Sequence, residues 1–329
     1  MSSLAFGAGL LALLGALSAL VDRSRRASPR VAAGAYLVSL LGWGLVPVVW
    51  LACLGASLAS YLAGVRTPGG TCLLGIDRSQ WQLLGFVPAA ALLGVVVWRV
   101  LLAARAARRV EMPRALRAAA VRRPTQAGEV WIVASSVPVA FAGGLFCPRA
   151  VITSGLLASL GQADRQAVCE HEAAHVRLGH PRLLVCGAAV VAAYGRFAPV
   201  RRAWEGLCRE LEAAADDEAA ASVGRGAVAH ALVRVALMAG GGARTETASP
   251  DGTSHLGYRL SRLQSSRPVE VAPSVLVGLA AVAASSATAL AGCLLAGSPG
   301  SLLGMGTCAG VIAIVALRPT WRWGWPARR

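Results

Sequence analysis

Lysine is absent. All 32 basic residues of the 329-residue chain are arginine, a uniformity that reads as coding bias and carries no chemistry of its own. Charge of either sign is scarce at 15 per cent, and only 16 residues are acidic, whereas 56 per cent are apolar and mean hydropathy is +0.58. So little charge among so many apolar residues excludes a disordered chain and argues against an ordinary soluble domain. No C-x-x-C pair occurs among the eight cysteines, which excludes the disulfide framework of a small secreted domain and leaves them as small apolar residues. The net charge of +16 would suggest phosphate binding in a soluble domain. Here the arginines sit beside apolar runs, where attraction to an anionic membrane leaflet explains them, so no direct nucleic-acid partner is expected.

What the chain has instead is long uncharged stretches. Residues 3–21 are followed, not preceded, by arginines, the reverse of a secretory signal, and predict a first retained helix. Residues 31–65 hold no charge; a straight helix of that length would run about 50 Å against a hydrocarbon core of about 30 Å. Pro47, preceded by Gly42 and Gly44, predicts one kinked span with an interfacial extension, since a hairpin would leave backbone groups unpaired in lipid. Residues 81–98 lead into Arg99, Arg105, Arg108 and Arg109, which places the loops at 22–30 and from 105 onward on the cytoplasmic side of a bilayer, and the loop at 66–80 outside. Two further apolar runs, 271–296 and 301–317, precede a basic tail.

The expected fold class is therefore mainly α, a polytopic membrane protein of about five transmembrane helices around a cytoplasmic α+β domain. Three spans fall in 1–104 (about 3–21, 31–60 and 81–102), the domain covers 105–270, two spans fill 271–317, and 318–329 form a cytoplasmic tail, with the N-terminus outside. All five histidines and most acids lie within 105–270, so the chemistry belongs there. Residues 130–135, 137–141 and 150–153 read as a small sheet with a hairpin, and 163–178, 201–221 and 227–238 as helices. Residues 183–195 form an apolar helix too short to span. The Gly- and Thr-rich stretch 240–254 reads as a loop.

Within the domain, His171 and His175 stand four apart with Glu172 after the first. On a helix, i and i+4 project from one face, so two neutral imidazoles can reach one Zn²⁺ while the adjacent carboxylate works on the water that zinc acidifies. By chance the H-E-x-x-H pattern is expected roughly 0.002 times in a chain of this composition. A catalytic zinc site wants a third protein ligand. His180, five residues after His175, is turned off that face and is one residue short of the metzincin spacing; His230 and His255 are more distant candidates. Glu212 and Asp216 form a second i, i+4 pair, suited to one zinc ligand and one carboxylate behind a ligand imidazole. Glu210 is the rival ligand. A strand near 139–143, with Ala140, Phe141 and Ala142, could hold an extended peptide substrate at a sheet edge.

Residues 140–220 resemble the membrane-bound gluzincin peptidases of the BlaR/MecR antirepressor type, and are similar, less closely, to HtpX-like and CAAX prenyl protease-like membrane peptidases. The resemblance is carried by 142–157, 171–175, 197–199 and 212–216. It implies that His171, His175 and Glu212 bind one zinc per chain, that Glu172 is the general base and that Asp216 orients a ligand. His180 stands where the antirepressor type often has Asp. The implied enzyme is a zinc metalloendopeptidase of the bacterial plasma membrane, partnered by the lipid bilayer and cutting a protein or peptide, such as a cytoplasmic winged-helix repressor. The β-lactam receptors carry a large outer domain after the last span, which the twelve-residue tail does not provide, so no outer sensor is expected. Two alternatives stand beside this reading: an HtpX-like quality-control protease, and a non-catalytic membrane signalling protein that keeps zinc for structure.

Overall fold

A computed structural model describes residues 14–15, 18–19, 21–22, 28–64, 78–109, 120–240 and 255–265. Two long helices come first, α1 (Pro29–Gly64) and α2 (Arg78–Arg109). Four short strands follow: β1 (Val121–Pro124), β2 (Glu129–Val133), β3 (Ala140–Gly143) and β4 (Arg149–Thr153). The remaining helices are α3 (Ser154–Ser159), α4 (Gln162–Arg177), α5 (His180–Tyr194), α6 (Ala198–Val223), α7 (Arg225–Gly240) and α8 (Leu256–Gln264).

The sheet order is β1-β2-β4-β3, with β2 and β4 parallel and both outer pairs antiparallel. The expected hairpin is β3–β4, but it starts at residue 140 instead of 137. Thr153 explains the shift: its hydroxyl donates to the Val137 carbonyl and accepts from the Val139 amide, so a side chain occupies the approach to the strand. β1, Val-Arg-Arg-Pro, was not anticipated. It is exposed throughout and has no apolar alternation to betray it; its pairing with β2 is what makes it a strand.

Two cores share α6. In one, Ala32, Ala33, Ala35, Tyr36 and Leu40 of α1 pack on Val190 and Tyr194 of α5 and on Val200, Ala203, Leu207 and Leu211 of α6. Those α6 positions recur at helical spacing, which directs one stripe at α1. In the other, Val130, Ala150 and Ile152 of the sheet meet Ala167 and Ala174 of α4, Ala215 and Ala219 of α6, Val228 of α7 and Leu263 of α8. Alanine dominates where α4 crosses α6, and such short side chains let the two helices approach closely enough for polar groups to meet across the crossing.

The expectation of about five membrane-spanning helices is corrected by this packing. Among the described residues one stretch, Pro29–Val48, is long and apolar enough to cross a membrane, and 50 per cent of it is buried inside the protein. α4 and α5 pass the same test only as one pair bent by 63°. The multi-pass placement in a bacterial plasma membrane, N-terminus outside and catalytic domain and C-terminus inside, falls with the five spans. Hydropathy counts apolar residues without saying what they touch, and the α1 face read as lipid-facing touches α5 and α6. α1 runs over 29–64 as one helix with Pro47 inside it. The expected spans at 271–317, the tail 318–329, most of 3–21 and the loop from 66 lie outside the described residues, apart from 78–80, which open α2.

Gly206 marks the closest approach of α6 to α1. A Cβ there would stand 2.5 Å from Tyr36 ring atoms, and Tyr36 is fully buried. Gly206→Ala should therefore destabilise the protein by about 1–3 kcal/mol through overpacking, measured as a lowered denaturation midpoint. An unchanged midpoint would mean that α1 does not dock on α6 in this way.

Candidate active site

α4 carries His171, Glu172 and His175 in its second half and ends at Gly179, whose φ of +73° turns the chain so that α5 begins at His180-Pro181. A left-handed residue at a helix end is the ordinary role of glycine, and proline fits the first turn of the next helix because no amide donor is needed there. This tight corner brings His180 back against His175. Their Nδ1 atoms lie 2.8 Å apart. α6 crosses α4 and presents Glu212 and Asp216 to the same histidines.

The three expected ligands converge. His171 Nε2 and His175 Nε2 are 3.1 Å apart, and each lies 3.5 Å from one oxygen of Glu212, Oε2 and Oε1 respectively. Donors about 2.0–2.1 Å from a tetrahedral zinc lie about 3.3–3.4 Å from one another, so the observed spacings match three corners of such a shell. Two imidazoles and one carboxylate are the three-ligand donor set of a catalytic zinc site, where a structural site would have four protein ligands. The residues present fit the ion.

Behind them, Asp216 Oδ1 accepts from His171 Nδ1 at 3.0 Å and His175 Nδ1 faces His180 Nδ1, so each ring, when neutral, is turned to present Nε2 to a metal. Glu212 is 28 per cent exposed and Asp216 only 3 per cent, which puts Glu212 at the mouth and Asp216 beneath it. Arg259 of α8 grips Asp216 with Nε and Nη2 at 2.6 and 2.7 Å and reaches Glu212 Oε2 with Nη1 at 3.0 Å.

These contacts set the protonation states. Burial disfavours charge on His171, but hydrogen bonds to Asp216 and Glu212 outweigh it and hold the ring protonated up to about 10. Burial, with the charges of His171 and Arg259, pushes His175 down to about 4. Burial also lowers His180 strongly, which leaves it a neutral acceptor. Burial pushes Glu172 up to about 7, with the Glu212 charge adding and His171 and Arg259 opposing. The Glu212 and Asp216 carboxyls resist their burial and stay below the usual range; His175 and Arg259 do this for Glu212, and Arg259 for Asp216.

The other candidates go elsewhere. Glu210 accepts from Tyr258 and Arg209, because residues two apart on a helix face opposite ways. His230 pairs with Asp164 at the start of α4, Asp217 with Arg262 and Glu218 with Arg177 and Arg30. His255 precedes α8 and is not in the metal-holding group found among the described residues. Ala140, Phe141 and Ala142 lie in β3, the edge strand, beside α4. Sequence reasoning missed Arg259 and the partnership of His180 with His175. The apolar spacing of Leu256, Leu260 and Leu263 was the available sign of α8.

Residues 104–205 match the model of peptidase family M48. The chain carries an M48 metallopeptidase domain. The matched segment includes His171, Glu172 and His175 and stops before Glu212, so the third ligand is supplied by the geometry and not by the match. No curated protein and no solved structure matches the chain. The M48 domain and its His171/His175/Glu212 triad make the protein a zinc metallopeptidase with one Zn²⁺, acting on a protein or peptide.

Zinc requires a neutral His171 at Nε2, and the metal-free ring is cationic up to about pH 10. Uptake at pH 8 should therefore release about one proton, and affinity should rise about tenfold per pH unit until that value is approached. Titration calorimetry in buffers of different ionisation enthalpy measures the proton; no release at pH 8 would mean that His171 is already neutral in the metal-free protein.

Proposed function

We propose that the protein is a zinc metalloendopeptidase that binds an extended segment of its substrate along β3 and uses Glu172 as general base. One observation carries the reading: His171 and His175 of α4 meet Glu212 of α6 at distances of 3.1 and 3.5 Å that suit one zinc ion. When bound, zinc supplies a Lewis acid that polarises the scissile carbonyl and acidifies water. Glu172 would take a proton from the attacking water as its oxygen bonds to the scissile carbonyl carbon, and would return that proton to the amine nitrogen as the C–N bond breaks. A carboxyl pushed up to about 7 suits the task, since it is a stronger base than an ordinary glutamate yet still half ionised near neutrality. Asp216 and His180 position the two imidazoles by fixing their tautomers.

The register of the sheet supports the substrate edge. Thr153 N donates to Val139 O, so the ladder alternation turns the backbone groups of Phe141 and Gly143 inward to β4 and leaves those of Ala140 and Ala142 directed at the open edge. An added strand would find two donors and two acceptors there. This demands an unfolded or flexible segment in the substrate. A winged-helix repressor, the substrate implied by the resemblance to the antirepressor peptidases, meets that demand where it exposes such a segment.

Two outcomes are expected. Glu172→Gln should bind zinc like the wild type and lose cleavage of casein, or of a purified winged-helix repressor, by at least about 10²-fold; products are read by mass spectrometry, and retained cleavage would remove Glu172 as the base. Ala142→Pro deletes one edge donor at a place where proline is tolerated. It should lower kcat/KM by about three- to tenfold, the net worth of one hydrogen bond, with melting unchanged. An unaltered kcat/KM would take β3 out of substrate binding.

A further inference from the structure

We infer that Arg259 is a positioning residue that keeps Glu212 a one-oxygen ligand and so holds open the fourth coordination position of the zinc site. The inference rests on the zinc reading above and deepens it.

Arg259 comes from α8, yet its side chain is only 6 per cent exposed and lies against the metal-binding helices. Its fork on Asp216 uses Nε and Nη2, two parallel bonds to two carboxylate oxygens, which fixes the plane of the guanidinium. The third nitrogen, Nη1, is thereby aimed at Glu212 Oε2, 3.0 Å away. Oε1 has no guanidinium partner and lies 3.5 Å from His175 Nε2, whereas Oε2, 3.5 Å from His171 Nε2, also bears the Arg259 contact. One oxygen of Glu212 is thus held by a fixed cation and the other is left for the metal. A carboxylate freed of the guanidinium can close on a metal with both oxygens, which would fill the place that substrate and water need. The charges agree with this assignment. Glu212 and Asp216 bring two carboxylates to the one guanidinium, which pairs with both without itself binding the ion.

Cobalt(II) in place of zinc reports coordination number through its visible bands, which are intense for four ligands and weak for five or six. Wild-type protein should take up one cobalt with intense bands. Arg259→Gln leaves Asp216 buried and unpaired, so it is combined with Asp216→Asn to keep the pair neutral and the fold intact. The double variant, with a wild-type far-UV spectrum, should bind cobalt with weakened bands and bind zinc at least about tenfold more weakly in chelator competition, the range for loss of a ligand's outer partner. Asp216→Asn alone keeps the guanidinium beside Glu212 with one of its two fork bonds and should give bands clearly stronger than those of the double variant; equal weakening in the two variants would overturn the inference. Full-intensity bands in the double variant would overturn the inference. Should that variant unfold, Arg259→Lys supplies the same test, because its single ammonium pairs with the more deeply buried Asp216 and leaves Glu212 Oε2 without a cationic donor; undiminished bands there would overturn the inference. Failure of the wild type to bind either metal would instead sink the zinc reading.

Discussion

Three carboxylates, two imidazoles and one guanidinium meet where α4, α6 and α8 cross, and the described fold is arranged around the need to keep them close without leaving a charge unpaired. A buried ion pair broken on one side costs about 3–5 kcal/mol, so none of these groups can be removed in isolation. Asp216 shows the constraint most plainly. It is 3 per cent exposed, accepts from His171 and is held on both oxygens by Arg259. Its carboxylate is tolerable in that position only because cationic donors surround it, and those donors are then fixed in turn.

The backbone answers the same need. Helices that must share a metal have to approach closely, and the α4–α6 crossing is lined by Ala167, Ala173 and Ala174 on one side and Ala215 and Ala219 on the other, all buried. Larger residues would strengthen the core by area alone but would separate Glu212 from the histidines. The sheet then backs α4 with Val130, Ala150 and Ile152, so the helix bearing the H-E-x-x-H motif is braced on the face away from the site. Gly179 and Pro181 add a corner sharp enough to bring His180 under His175.

Much of the site was legible because it is written in local spacing. His171 with His175, and Glu212 with Asp216, each declare a common face at i, i+4, and the two faces proved to be opposed. Arg259 was not legible: one arginine among 32 basic residues carries no signal until α8 is seen to return to the site. β1 hid for a related reason, since Val-Arg-Arg-Pro has neither alternation nor apolar content. The five-span reading failed on a different ground. Composition gives the polarity of a helix surface but not its neighbour, and the uncharged run from residue 31 supplies a helix whose buried face is matched to other helices of the same protein.

That match reaches further than apolar contact. Tyr36 of α1 donates to Asp22, and Arg209 of α6 bonds both of them. Arg209 also holds Glu210, which accepts from Tyr258 of α8. A continuous polar chain therefore runs from the N-terminal helix through residues 209 and 210 to α8, entering α8 at the residue next to Arg259. Burial pushes the Glu210 carboxyl up while Arg209 and Tyr258 pull it back, so its ionised form depends on both ends of the chain being docked. Glu210 and Glu212, two residues apart on opposite faces of α6, consequently divide the work: one ties α8 to α1, the other faces the metal. The helix that looked like a membrane anchor is thus bound into the same scaffold that aligns the zinc ligands, and loss of its docking would be felt at α8 before it was felt at the histidines.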